Sequence, residues 1–173
     1  LGTMVANLSS HKPGWDDQWE YFSDWAVKGQ ALKDELLHLV DEDTNAFNMI
    51  MNAFGLPKST DEEKAARTAA IQEATKYATQ VPFRTMQKAY DCFEICRAMV
   101  EKGNPNSVSD AGVGALCARS AVMGACMNVR INAKDIKDEA FKSDILAKAA
   151  EIEANAIKQE TEIVKMVNDI INQ

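Results

Sequence analysis

Residues 15–54 read WDDQWEYFSDWAVKGQALKDELLHLVDEDTNAFNMIMNAF, and this stretch decides the fold class. Its apolar side chains recur at the three- and four-residue steps of an amphipathic helix. Gly29 is the only residue inside it that weakens a helix, and Gly55-Leu56-Pro57 ends the pattern. The stretch therefore predicts one long helix.

The rest of the chain also shows the sequence patterns of helices. Ser59-Thr60 followed by Glu62-Glu63 has capping-box spacing and predicts the start of a second helix, which runs to Gly103 with a kink or break at Val81-Pro82. A small-residue helix over residues 110–131 and an amphipathic helix from Asp144 onward follow. Because strand-like alternation is almost absent, the sequence predicts an all-α, multi-helix bundle with long antiparallel helices.

Size and charge exclude several classes of protein. A chain of 173 residues suits a single domain spanning residues 1–173. Its 19 basic and 26 acidic residues give a net charge of −7, which argues against a nucleic-acid partner. No uncharged apolar run reaches the roughly 18 residues of a membrane span, so we expect a soluble protein without a membrane partner. The four cysteines form no CxxC pair, which predicts reduced thiols, a cytoplasmic location and no metal site.

Asp43 is the candidate catalytic acid of the long helix. It lies seven residues after Leu36 and seven before Ile50, so it should share their apolar face, whereas Asp41 and Glu42 should be ordinary solvated acids. A carboxyl group shielded from water has a raised pKa and suits a general acid. Structural pairing or a position at a helix end remains the alternative to a catalytic role.

Polar residues of the small-residue helix form a second candidate group. Ser109 and Asp110 stand at its start, where a plain N-cap explains them equally well. Asn128 and Asn132 stand four apart near its other end, where their amides could bind the edge of a heterocycle or satisfy the helix terminus. The sequence leaves both alternatives open.

Three basic residues form a candidate anion site. Lys58, Lys64 and Arg67 cluster around the start of the second helix, where free backbone N–H groups also favour negative charge. An anionic tail could bind there, although a solvated helix start with local ion pairs explains the same residues.

Several segments of the chain are long enough to be characteristic of a family. They are LPKSTDEEK at residues 56–64, RTAAIQEA at 67–74 and Val81-Pro82. Further segments agree in order: LVDED with Ala46-Phe47 at 39–47, GNPNSVSD at 103–110, GACMNVRIN at 124–132 and DIKDEAFK at 135–142. With these segments the chain resembles, over essentially its whole length, the cyclodeaminase domain of formimidoyltransferase-cyclodeaminase.

This resemblance implies a fold, a reaction and a set of roles. The family releases ammonia from 5-formimidoyltetrahydrofolate and forms 5,10-methenyltetrahydrofolate, a step of histidine degradation and one-carbon metabolism that needs no cofactor. Asp43 matches the family's acid, and Asp110 becomes a candidate for proton transfer. Further matches suggest folate-binding residues: Ser109, Asn128 and Asn132 for the pterin, and Lys58, Lys64 and Arg67 for a glutamate or polyglutamate tail.

The chain differs from the family in one segment, and the resemblance leaves two alternative functions open. Family members carry a glycine-rich segment before their first helix, and Leu1 to Leu8 match only the end of that helix, so the domain is expected to be N-terminally incomplete. A methenyltetrahydrofolate cyclohydrolase is the alternative within the same fold, and a non-catalytic helical oligomerisation module is the alternative outside enzymes. The family further implies a homodimer or higher oligomer and an N-terminal formimidoyltransferase domain as partner.

Overall fold

The computed structural model describes residues 1–173 and contains five α-helices, two short 3₁₀-helices and no strand. The α-helices are α1 (Gly2–Ser10), α2 (Trp19–Phe54), α3 (Asp61–Lys102), α4 (Val108–Ala133) and α5 (Glu139–Ile171), with 3₁₀ turns at Asp16–Gln18 and Pro105–Ser107. The predicted all-α bundle of long helices is confirmed.

The four long helices run antiparallel to their neighbours in sequence. Three contacts fix the order: Lys88 of α3 pairs with Glu35 of α2, Cys96 of α3 lies against Gly114 of α4, and Arg130 of α4 pairs with Glu153 of α5. α1 is short and covers α3 only near its C-terminal end, where Gly2 lies against Ile95 and Ser9 accepts a hydrogen bond from the backbone N–H of Asn104.

α3 begins where the sequence predicts and continues where a break was possible. Thr60 accepts a hydrogen bond from the backbone N–H of Glu63, whose carboxylate accepts from the N–H of Thr60, so the capping box is complete. The helix passes through Pro82 without interruption. The alternative of a break at Val81-Pro82 is therefore wrong.

α4 is the central helix, packed between α3 and α5. Its small residues allow close approach, as where a methyl group on Gly112 would meet Val167 of α5 at 3.1 Å. The helix starts after Ser107, so the interpretation of Ser109 as its N-cap is wrong: the 3₁₀ turn already carries the chain into the helix two residues earlier. By length and apolar composition, Pro105–Ala133 could cross a membrane, although 39% of its most apolar window is buried in this fold.

Two hydrophobic clusters hold the bundle together, and they differ greatly in size. The main core contains 25 buried residues, with Phe22, Met86, Phe93 and Met99 among its largest members. A separate cluster of four, Leu39, Ala46, Ala78 and Val81, joins the C-terminal half of α2 to α3. That half of α2 therefore depends on few apolar contacts.

Candidate active site

Asp43 lies between the two residues of α2 that enter the small cluster, four after Leu39 and three before Ala46. Its own side chain is exposed and makes no hydrogen bond or ion pair within the chain. The expectation that it faces the core is wrong for a single chain, because the buried seven-residue series runs through Leu32, Leu39, Ala46 and Ala53, about 20 to 80° away around the helix.

Apolar side chains nevertheless surround Asp43. Val40 and Phe47, one turn before and after it, are 63% and 61% exposed, and Leu36 and Ile50 are half-buried. The apolar stripe that the sequence predicted on this face therefore exists, but no element of the chain covers it. Asp43 is a carboxyl group within an open apolar surface.

Glu42, next to Asp43, is the acid of this segment that the fold partly buries, so the prediction that it is an ordinary solvated acid is wrong. Its side chain is only 19% exposed, Tyr77 Oη donates to its Oε1 at 3.1 Å, and Arg84 Nη2 lies 2.8 Å from its Oε2. Burial alone would raise the pKa of Glu42, but the contacts with Arg84 and Tyr77 outweigh it and hold the pKa below its ordinary value. The Glu42 carboxylate is therefore ionised, and it connects α2 to α3 because both of its partners lie on α3.

Asn132 connects α4 to the same level of the bundle. Its Nδ2 donates to the backbone carbonyl of Ala78 at 2.7 Å, and Ala78 belongs to the small cluster that flanks Asp43. This carbonyl is available because residue 82 is proline and has no N–H to donate to it. Asn128 lies one turn earlier on α4 and is exposed. The structure thus brings Asp43, Asn128 and Asn132 to one level, on the two helices that flank α3.

An open surface of α3 separates these two helices. The α3 face that α1 approaches at Ile95 and Cys96 continues one to three turns earlier through Cys92 and Thr85. Cys92 and Thr85 are half-buried. We call this surface, with α3 as floor and α2 and α4 as walls, the α3 trough.

The basic candidates lie at the α2–α3 turn. Arg67 donates from Nε and Nη2 to the backbone carbonyl of Phe54, which closes the C-terminal end of α2, and Lys64 pairs with Asp61. Lys58 is exposed in the connecting loop. The turn lies about 16 Å from Asp43 along α2, at 1.5 Å per residue over the residues between Asp43 and Phe54.

Ser109 and Asp110 lie elsewhere. They occupy the first turn of α4, at the end where Gly114 contacts Leu1, whereas Asn132 lies near the other end of the same helix. The distance along the axis from Asp110 to Asn132 is about 33 Å, at 1.5 Å per residue. Within one chain, Asp110 therefore does not share a site with Asp43.

The structure contains no cluster of three His, Cys, Asp or Glu side chains placed to hold a metal ion.

Comparison with known proteins then decides the family. A profile described as formiminotransferase-cyclodeaminase matches residues 1–151. The chain belongs to the formiminotransferase-cyclodeaminase family.

Relatives within the formiminotransferase-cyclodeaminase family differ in length and in the activity for which they are named. The chain is 37% identical over 172 residues to a methenyltetrahydrofolate cyclohydrolase from Methylorubrum extorquens, which covers 99% of this chain and 83% of that protein. It is 42% identical over 144 residues to the formimidoyltransferase-cyclodeaminase of Gallus gallus, covering 83% of this chain but only 27% of that protein.

A solved structure agrees in fold. The formiminotetrahydrofolate cyclodeaminase from Thermotoga maritima superimposes with a TM-score of 0.85 at 27% sequence identity, covering 98% of this chain and 81% of that one. The helical arrangement described above is thus that of a solved formiminotetrahydrofolate cyclodeaminase.

Proposed function

We propose that this protein is a formimidoyltetrahydrofolate cyclodeaminase, an ammonia-lyase that converts 5-formimidoyltetrahydrofolate to 5,10-methenyltetrahydrofolate. One observation carries the proposal: within a chain of this family, Asp43 stands unpaired on an open apolar surface, on a wall of the α3 trough. A flat heterocycle that lies on this surface would exclude water from the carboxyl group and favour its protonated form.

The reaction needs one proton at a defined place. N10 of the folate attacks the formimidoyl carbon, a C–N10 bond forms, and the N10 proton is lost from the tetrahedral centre. The exocyclic nitrogen must gain protons to leave as ammonia, and one proton is consumed for each turnover. We assign delivery of that proton to Asp43, acting as a general acid.

The surface from Asp43 to the α2–α3 turn would suit an elongated ligand with a flat ring at one end and carboxylates at the other. Asp43, Asn128 and Asn132 would take the pterin, since the amide oxygen of Asn132 accepts no hydrogen bond within the chain. Lys58, Lys64 and Arg67 would meet the glutamate tail at the α2–α3 turn, about 16 Å away along α2. Asp110 and Ser109 are too far along α4 to join this site in one chain.

The test is an absorbance assay for methenyltetrahydrofolate. Wild type, Asp43→Asn and the matched control Asp41→Asn are each made as the 173-residue chain and as a version preceded by the family's glycine-rich segment. We expect Asp43→Asn to lower kcat by about 100- to 10,000-fold, the range of general acid catalysis, and Asp41→Asn to retain activity. Wild-type proteins that fold but are silent in both versions, or full activity of Asp43→Asn, would refute the proposal.

A methenyltetrahydrofolate cyclohydrolase is the second candidate function. The Methylorubrum extorquens relative of that name aligns with 99% of this chain, and hydrolysis would use the same folate-binding surface. The same proteins are therefore assayed for loss of methenyltetrahydrofolate absorbance. Hydrolysis without ammonia release from 5-formimidoyltetrahydrofolate would favour this second function.

We also propose that the protein forms a homodimer. α2 and α4 both expose large apolar side chains, among them Phe47, Met127 and Ile131, that a second copy could cover. Light scattering with and without folate measures the oligomeric state directly. A folded dimer that binds no folate would instead support an oligomerisation module.

A further inference from the structure

We propose that Glu42 is a positioning residue that fixes the direction of Asp43, a role that rests on the proposed function. The two residues are adjacent on α2, so their side chains point about 100° apart around the helix axis. Glu42 points to one edge of the α2–α3 interface and Asp43 to the other, towards the trough. Whatever fixes the rotation of α2 at Glu42 therefore fixes it at Asp43.

The contacts of Glu42 suit this purpose. Tyr77 and Arg84 stand seven residues apart on the same face of α3, and each contacts a different carboxylate oxygen of Glu42, at 3.1 and 2.8 Å. Two contacts from points about two turns apart resist both rotation and sliding of α2. Arg84 is not shared with the next acid on this face, because Glu35 pairs with Lys88 at 2.6 Å.

The contact of Glu42 with Tyr77 and Arg84 lies in the half of α2 that has few buried apolar contacts. The N-terminal half of α2 is held by the main core through Phe22 and Leu32, and α1 packs against Gly29. Beyond Leu32, the buried apolar side chains of α2 are Leu39 and Ala46 of the four-residue cluster and Ala53, with Leu36 and Ile50 partly buried against the cluster. Leu39 and Ala46 fix the distance between the helices, but small apolar contacts fix rotation poorly. The hydrogen bond from Tyr77 is directional, and the ion pair with Arg84 adds a second point of attachment.

Catalysis is sensitive to such a rotation. A misplacement of about 1 Å of a catalytic group can cost about 100-fold in rate, although the substrate still binds. Loss of Glu42 should thus lower kcat and leave KM nearly unchanged. A residue that only stabilised the fold would reduce the fraction of folded protein, with no change in kcat per folded molecule.

The experiment compares Glu42→Leu and Glu42→Gln with Glu35→Leu, which removes an ion pair from the same face of α2 two turns earlier. Steady-state kinetics are measured per folded molecule, with the folded fraction taken from circular dichroism. We expect Glu42→Leu to lower kcat by about 10- to 100-fold and Glu42→Gln by less, because its amide oxygen still accepts from one of Tyr77 and Arg84. Glu35→Leu should stay within about twofold of wild type.

A double variant separates positioning from stability. If Glu42 acts through Asp43, then Glu42→Leu combined with Asp43→Asn has the kcat of Asp43→Asn alone, because no acid remains to be positioned. Independent multiplication of the two effects would overturn the proposal, as would a Glu42→Leu variant with wild-type kcat. In both cases wild type is active, so the proposed function stands; a wild type inactive on both folate substrates would overturn the proposed function and this role together.

Discussion

Asn132 and Pro82 form a pair whose coupling can be measured without any substrate. In an α-helix the N–H of residue 82 would bind the carbonyl of Ala78, but proline has no N–H, and Asn132 of α4 donates to that carbonyl at 2.7 Å instead. Ala78 is only 6% exposed, so water reaches the carbonyl poorly. We predict that Asn132→Leu destabilises the wild-type fold but is nearly neutral when residue 82 is alanine.

The magnitude follows from the buried carbonyl. A buried acceptor left without a partner costs about 1–3 kcal/mol, which is the expected loss in free energy of unfolding for Asn132→Leu. In Pro82→Ala the backbone N–H of residue 82 restores the helical bond, so Asn132→Leu should then cost less than about 0.5 kcal/mol, the scatter expected for uncoupled sites. The difference predicts a coupling energy of about 0.5–3 kcal/mol.

Urea unfolding of the four proteins in this cycle, followed by circular dichroism, measures the coupling. Asn128→Leu serves as the matched control, because Asn128 lies one turn away on α4 and is exposed. It should change the free energy of unfolding by no more than about 0.5 kcal/mol. Equal destabilisation by Asn132→Leu in the proline and alanine backgrounds would refute the reasoning.

Three further predictions concern stability and thiol chemistry. Arg67→Ala removes both hydrogen bonds to the carbonyl of Phe54 and should lower the free energy of unfolding by about 1 kcal/mol in thermal denaturation; no change would show that the turn closes without them. Burial raises the pKa of the Cys96 thiol to about 12, so at pH 8 a thiol reagent should modify the exposed Cys117 and leave Cys96 intact until unfolding, which mass spectrometry of the labelled peptides checks. The pKa of Glu42 lies below its ordinary value of 4.5, so the ionised Glu42 side chain stabilises the fold above pH 4.5, and this stabilisation is lost as the pH falls through the lowered pKa. Between pH 7 and pH 3, wild type should therefore lose more free energy of unfolding, measured with urea, than Glu42→Gln. Equal losses would contradict this prediction.

Local signals predicted the helices well because their causes lie within a few residues. The capping box at Thr60 and Glu63 needs only neighbours in sequence, and it starts α3 as expected. Ser109 shows the limit of the same approach: a 3₁₀ turn beginning at Pro105 already provides the helical geometry, so the helix starts before the better capping residue.

The candidate site was predicted less completely because it depends on which helix lies beside which. Periodicity placed Asp43 on an apolar face of α2, and that face exists, but periodicity does not tell whether another element covers it. The anchoring of Glu42 by Tyr77 and Arg84 was missed, since no local pattern reveals a partner 35 or 42 residues away. Pro82 offered one usable signal: a proline inside a helix frees a known carbonyl, which requires a donor from elsewhere.

The uneven division of the apolar core has a consequence for how the protein opens. Segments with few buried contacts unfold locally at lower free energy than the global transition, and the C-terminal half of α2 rests on a cluster of four residues while the rest of the bundle shares 25. Its amide hydrogens should therefore exchange ahead of those around Phe93 in α3. Local opening of this half would move the open surface around Asp43 while the main core stays folded.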